Sequence, residues 1–201
     1  MISTDLKLIF SGLAIALTFV AFVPYIRSIL SGATKPHVFS WVVWGTSTFI
    51  VFFAQLEGKG GIGAWPIGVS GAIAIVIAIL SFIKRSDITI KPVDWLFLLA
   101  ALGSLPFWYF TADPLWAVII LTVVDLLGFG PTIRKAYEYP HEENRLFFVL
   151  FMLRNIFAIL ALEHYSVTTV LFPLSVACSC ALLLLMLSYR RRMVCAEWGR
   201  S

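Results

Sequence analysis

Residues 22–37 read FVPYIRSILSGATKPH, and residues 129–141 read FGPTIRKAYEYPH. Each stretch closes a long apolar run with Phe-x-Pro-x-Ile-Arg, and the two frames stand 107 residues apart. Sliding the chain by that interval also brings Leu8 onto Leu115, Pro66 onto Pro173, Val69 onto Val176 and Ser81 onto Ser188 without a gap. Aliphatic coincidences count for little in so apolar a chain. The Pro-x-Ile-Arg cluster and the prolines 42 residues beyond it in each half carry the case for an internal repeat. The Pro-His endings do not belong to it: Pro36 and Pro140 are 104 residues apart, so His37 and His141 are not repeat partners.

Working outward, the frames sit in a chain of 201 residues that is 60% hydrophobic and only 13% charged, with a mean hydropathy of +0.94. A soluble domain has roughly 25% charged residues. A bilayer core about 30 Å thick needs about 20 apolar residues per helix. The sequence supplies seven such stretches, at 8–30, 38–56, 62–83, 93–110, 114–134, 146–163 and 166–189. The predicted fold class is therefore all-α: a polytopic membrane protein of seven transmembrane helices. The 107-residue shift carries spans 1–3 onto spans 5–7. Residues 1–89 form a first three-helix repeat, 90–111 a connector helix and 112–201 a second repeat with a short basic tail. Three helices plus a connector make an even number of crossings, so the repeats run parallel, related by an axis along the membrane normal.

The net charge of +4 is a topology signal rather than a nucleic-acid patch. Lys7 and Lys59 are the basic residues of one face. The other face holds Arg27, Lys35, Lys84, Arg85, Lys91, Arg134, Lys135, Arg145, Arg190–Arg192 and Arg200. The positive-inside rule places the N-terminus outside and the C-terminus in the cytoplasm, and the expected location is a bacterial inner membrane, multi-pass. The flank MISTDLK carries a single Lys and no small-residue cleavage site follows, so the first span reads as a retained helix rather than a signal peptide. Cys178, Cys180 and Cys195 lack ligand spacing, which supports neither a metal nor a redox site. No cofactor is expected.

PYIRSILSGATKPHVFSW, at residues 24–41, resembles the PQ-loop signature: a Pro-Gln pair near the inner end of a helix, a short basic stretch, a glycine, and a Ser opening the next helix. Tyr25 and Thr132 stand where that family has Gln. The parallel 3+1+3 layout with an outside N-terminus is similar to the SWEET sugar transporters and the wider PQ-loop superfamily. The resemblance implies a transporter, with Pro24 and Pro131 as hinges of the inner gate; a static kink is the plainer reading of each.

Asp125 and Arg154 are the charged residues deep in spans. Asp125 precedes Arg134 by nine residues and Arg154 follows Arg145 by nine. At about 1.5 Å per residue each lies some 13 Å from the cytoplasmic boundary, near the midplane. They are set up either as a structural ion pair pinning spans 5 and 6, or as a working site. In the second case Asp125 takes a proton or cation, or Arg154 anchors a carboxylate or phosphate. Their repeat equivalents, Thr18 and Ser47, are neutral. Asn155 and its equivalent Thr48 offer small polar groups at the same depth, and Trp44, a turn deeper than Trp41, can stack on a ring. Trp41 reads as an interfacial anchor, and Gln55, Glu57, Glu163 and His164 as solvated residues near the outer ends.

These residues fit a carrier moving a small polar solute (a sugar, amino acid or similar metabolite) by alternating access at a midplane site. The alternative is a seven-helix ligand or sorting receptor of PQ-loop type without transport. A rhodopsin is disfavoured because every lysine lies at a helix end or in a loop. An enzyme is not expected, since no metal cluster or nucleophile motif is present. The expected partners are a small-molecule solute and the lipid bilayer, not nucleic acid, with a homo-oligomer left open.

Overall fold

The computed structural model describes residues 3–33, 36, 38–84, 92–129, 133, 136–138, 140–141 and 145–198, without the side chains of 94 and 194–198. Among these residues the chain is helical and has no strand. The helices are α1 (Thr4–Leu30), α2 (Val38–Glu57), α3 (Trp65–Ile83), α4 (Pro92–Thr111), α5 (Leu115–Gly128), α6 (Arg145–Leu160) and α7 (Val167–Trp198), with a 3-10 turn at Gly61–Ala64 leading into α3.

Among the described residues four segments are long and apolar enough to cross a bilayer: Thr4–Leu30, Val38–Glu57, Gly61–Ile83 and Val167–Met193. The chain is an integral membrane protein. Leu8, Phe82, Tyr109 and Phe110 point large apolar surfaces outward, as lipid-facing residues do. Helices α4 and α5 contribute shorter apolar stretches, Trp95–Thr111 and Leu115–Gly128. Helix α5 closes at Gly128 with Phe129 as its C-cap, and Ile133 N donates to Phe129 O at 2.9 Å beyond it. The last boundary differs from expectation. Helix α7 continues well past residue 189. Its basic end is held there by the segment before α6: the Arg190 guanidinium Nε donates to Tyr137 O at 3.2 Å and Arg191 Nε to Pro140 O at 2.8 Å.

Helix α3 packs between α1 and α2, and α7 packs between α5 and α6. Across the middle, α1 meets α6 and α2 meets α5, while α4 lies against α2 and α5. Exchanging α1, α2 and α3 for α5, α6 and α7 leaves the pattern among those six helices unchanged, while α4 sits to one side of it. Small residues let backbones approach: a Cβ on Gly45 would come within 2.6 Å of Ile75 Cδ1, and one on Gly68 within 2.9 Å of the Phe52 ring. The main apolar core runs through Val51, Ile67, Val118, Leu121 and Leu187, and a smaller cluster of Phe22, Ile29, Ile73 and Ile77 joins α1 to α3.

The second pair of repeat-spaced prolines has a shared local consequence. A proline in a helix offers no N–H to the carbonyl four residues earlier. For Pro66 that carbonyl is Ile62 O, and Ser11 Oγ of α1 donates to it at 2.8 Å. For Pro173 it is Thr169 O, and Gln55 Nε2 of α2 donates to it at 2.7 Å. Ile62 and Thr169 are themselves 107 residues apart. Gln55 is thus fully buried, not solvated as its place near a helix end suggests.

Candidate functional site

A cavity of about 740 Å³ lies between the two helix triplets. One end, the mouth in the reading proposed below, is lined by Pro24 and Tyr25 in the next-to-last turn of α1, the first turns of α2 (Trp41, Trp44), the C-cap of α5 (Phe129) and the start of α6 (Phe147). This is the end that carries Arg27, Lys84, Arg145 and Arg190. The cavity reaches inward to Ser70, Asp125, Arg154 and Phe172. Beyond Arg154 the opposite end is closed by hydrogen bonds. Glu163 Oε1 accepts from Ile62 N at 3.1 Å, Glu163 N donates to Gly60 O at 3.1 Å, and Lys7 Nζ donates to Glu163 O at 3.4 Å. With Ser11–Ile62 and Gln55–Thr169, these contacts tie α1, α2, the 3-10 turn and the α6–α7 loop together.

Aromatic rings build the walls near the mouth. Tyr25 and Trp41 lie 5.3 Å apart between centroids, Trp41 and Trp44 meet edge-on at 5.3 Å, and Phe22 meets Trp41 at 6.1 Å and Phe151 at 5.7 Å. These spacings suit attractive ring pairs. Trp41 therefore belongs to the wall rather than serving only as an interfacial anchor. Gly128 leaves room beside it: a Cβ there would touch Trp44 Nε1 at 3.4 Å. Residues related by the 107-residue shift face the cavity together, namely Ala21 with Gly128, Phe22 with Phe129, Trp41 with Phe148 and Trp44 with Phe151.

The polar floor is asymmetric. The Arg154 side chain is buried, with NH2 donating to Pro66 O at 2.9 Å and NH1 to Asn155 Oδ1 at 3.2 Å. Its Cζ lies 5.0 Å from the Phe151 ring centre, a cation–π contact. Its Nε has no hydrogen-bond partner. Asp125 lines the same cavity, yet no nitrogen of Arg154 comes within 4.0 Å of its carboxylate, and among the described residues that carboxylate makes no hydrogen bond or ion pair. The two deep charges share a chamber without pairing in it.

The other expected residues divide. Thr48 and Trp44 line the cavity. Asn155 does not: its Nδ2 donates to Phe151 O at 2.8 Å while its Oδ1 holds Arg154, so it orients the guanidinium. Pro24 lines the mouth and α1 continues through it to Leu30. Pro131, its equivalent, lies outside the described residues, as does His37. Thr18 is occupied with Ala14 O, whereas Ser47 Oγ is buried without a partner. Sequence reasoning missed Ser70 and Cys180 as lining residues; nothing in their local pattern separates them from ordinary packing positions. Cys178 faces outward. Among the described residues no group of three His, Cys, Asp or Glu side chains could hold a metal ion.

Compared with protein-family models, with curated proteins and with solved structures, the chain matches none. The functional reading rests on the cavity itself.

Proposed function

We propose that this protein is a membrane carrier that moves a small polar solute by alternating access between two parallel three-helix repeats, in the manner of the PQ-loop and SWEET-like proteins its sequence resembles. The observation that carries the proposal is the one-ended cavity. It lies toward the basic end and reaches inward to buried polar groups, while hydrogen bonds tie its wall helices together on the far side; in this reading it opens at the basic face. Shift-equivalent residues face it from both triplets, so rocking one triplet against the other would open the far end while closing the aromatic mouth. In this reading the connector is α4, Pro24 is a hinge at the mouth, and Arg154, Asp125, Thr48 and Trp44 contact the solute.

The test is counterflow in proteoliposomes loaded with labelled pools of sugars and amino acids. The expected result is accumulation of at least one solute that purified protein also binds, reduced by Pro24→Ala without loss of binding. Tight binding of a solute that shows no counterflow would sink the carrier and leave a receptor in its place.

A further inference from the structure

The carrier reading leaves the solute class open, and the floor of the cavity narrows it. Arg154 is among the largest fully buried side chains. Two of its nitrogens are satisfied by neutral acceptors, and Nε has none. A buried guanidinium ordinarily takes an anionic partner in forked geometry, since neutral acceptors replace its lost hydration poorly. The carboxylate in the same cavity is Asp125, which feels the charge of Arg154 through space but makes no hydrogen bond or ion pair with it. Two opposite charges thus face one chamber more than 4.0 Å apart.

Three solute classes meet such a floor differently. A neutral polyol can hydrogen-bond to both groups but brings no charge to either of them. A simple anion matches Arg154 and brings an uncompensated negative charge toward Asp125. A zwitterion supplies each charge with its opposite and keeps the chamber neutral whether empty or filled, which is the least costly arrangement in a low-dielectric site. Above the floor, Phe22, Tyr25, Trp41 and Trp44 offer ring surface and few polar atoms, which suits an apolar side chain.

Resting on the carrier reading, we infer that the solute is a short zwitterion of the α-amino-acid type with a large apolar or aromatic side chain, its carboxylate on Arg154 and its ammonium on Asp125.

The experiment is calorimetric titration of the purified full-length protein with L-phenylalanine, phenylacetate, phenethylamine and glucose. L-Phenylalanine binds, and each analogue lacking one charged group binds at least about tenfold more weakly, because one buried group is then left unpaired. Arg154→Lys restores part of the L-phenylalanine affinity lost in Arg154→Gln, and Asp125→Asn narrows the gap between L-phenylalanine and phenylacetate. Should these variants not fold, the wild-type analogue series decides alone. Phenylacetate or glucose binding as tightly as L-phenylalanine overturns the assignment. L-Phenylalanine binding without counterflow removes the carrier but leaves this ligand class standing. Counterflow of glucose with no amino-acid binding does the reverse.

Discussion

Arg154 is held by a backbone carbonyl and a neighbouring amide, and its replacement by an apolar side chain of similar length separates recognition from architecture. A charge at midplane depth costs about 2.5–3.5 kcal/mol on insertion scales. Removing it leaves Pro66 O and Asn155 Oδ1 each short of one donor, at about 1 kcal/mol apiece. The two effects nearly cancel. Arg154→Met is therefore expected to change thermal stability in detergent by no more than about 1 kcal/mol while abolishing stabilisation by L-phenylalanine. A loss above about 3 kcal/mol in the ligand-free protein would make Arg154 a structural post. Gly61 gives a second test at this scale. Its φ is +60°, and an added Cβ would run into the Glu163 carboxylate. Gly61→Ala is expected to lower stability by about 1–2 kcal/mol from backbone strain alone, with more lost as Glu163 is pushed off Ile62 N. Thermal unfolding that matches wild type would show that the turn relaxes without cost.

At the scale of elements, the prolines at 66 and 173 were visible in the sequence as a repeat signal, but their partners were not. Gln55 reaches Thr169 O across 114 residues of chain, and no local pattern announces such a pairing. Its energetic meaning can be isolated. In the wild type, Gln55→Leu leaves Thr169 O with neither a side-chain donor nor a Pro173 N–H, an expected cost of about 1–3 kcal/mol. In a Pro173→Ala background the helix supplies its own N–H to that carbonyl, and the same substitution should cost close to nothing. A double-mutant cycle on thermal or denaturant unfolding reads the coupling directly; equal costs in both backgrounds would show that Gln55 acts through packing alone. Gly63 and Gly45 form a complementary pair. A Cβ on Gly63 would meet Leu162 N at 2.5 Å, an immovable backbone atom, whereas one on Gly45 meets the movable tip of Ile75. Gly63→Ala should therefore destabilise markedly more than Gly45→Ala, the difference appearing as the larger drop in unfolding temperature.

For the whole molecule, composition and span length sufficed to read an all-helical membrane protein, since burial in lipid demands long apolar helices and little else meets that demand. The site was legible only in outline. Asp125 and Arg154 stood out because charge is expensive at that depth, yet their failure to pair depends on how α5 and α6 face the cavity, which spacing along the chain does not encode. Of the aromatic wall only Trp44 stood out beforehand: with 17 Phe, 7 Trp and 6 Tyr in the chain, rings are too common for the others to signal a site. What the assembled molecule adds is direction. The cavity mouth shares an end with Arg27, Lys84, Arg145 and Arg190, while Lys7 and Lys59 belong to the closed end. If the basic end is cytoplasmic, Thr48 is reached from the cytoplasm and the Glu163 closure faces outward. In a background with the native cysteines replaced by Ser or Ala, Thr48→Cys is expected to react with a membrane-impermeant thiol reagent in inside-out vesicles and to be protected in right-side-out vesicles, with Glu163→Cys showing the opposite preference. A solute that drives alternation would raise Thr48→Cys labelling from the outside. Labelling of Thr48→Cys from the outside alone, in the absence of solute, would reverse the topology and place the aromatic mouth on the extracellular face.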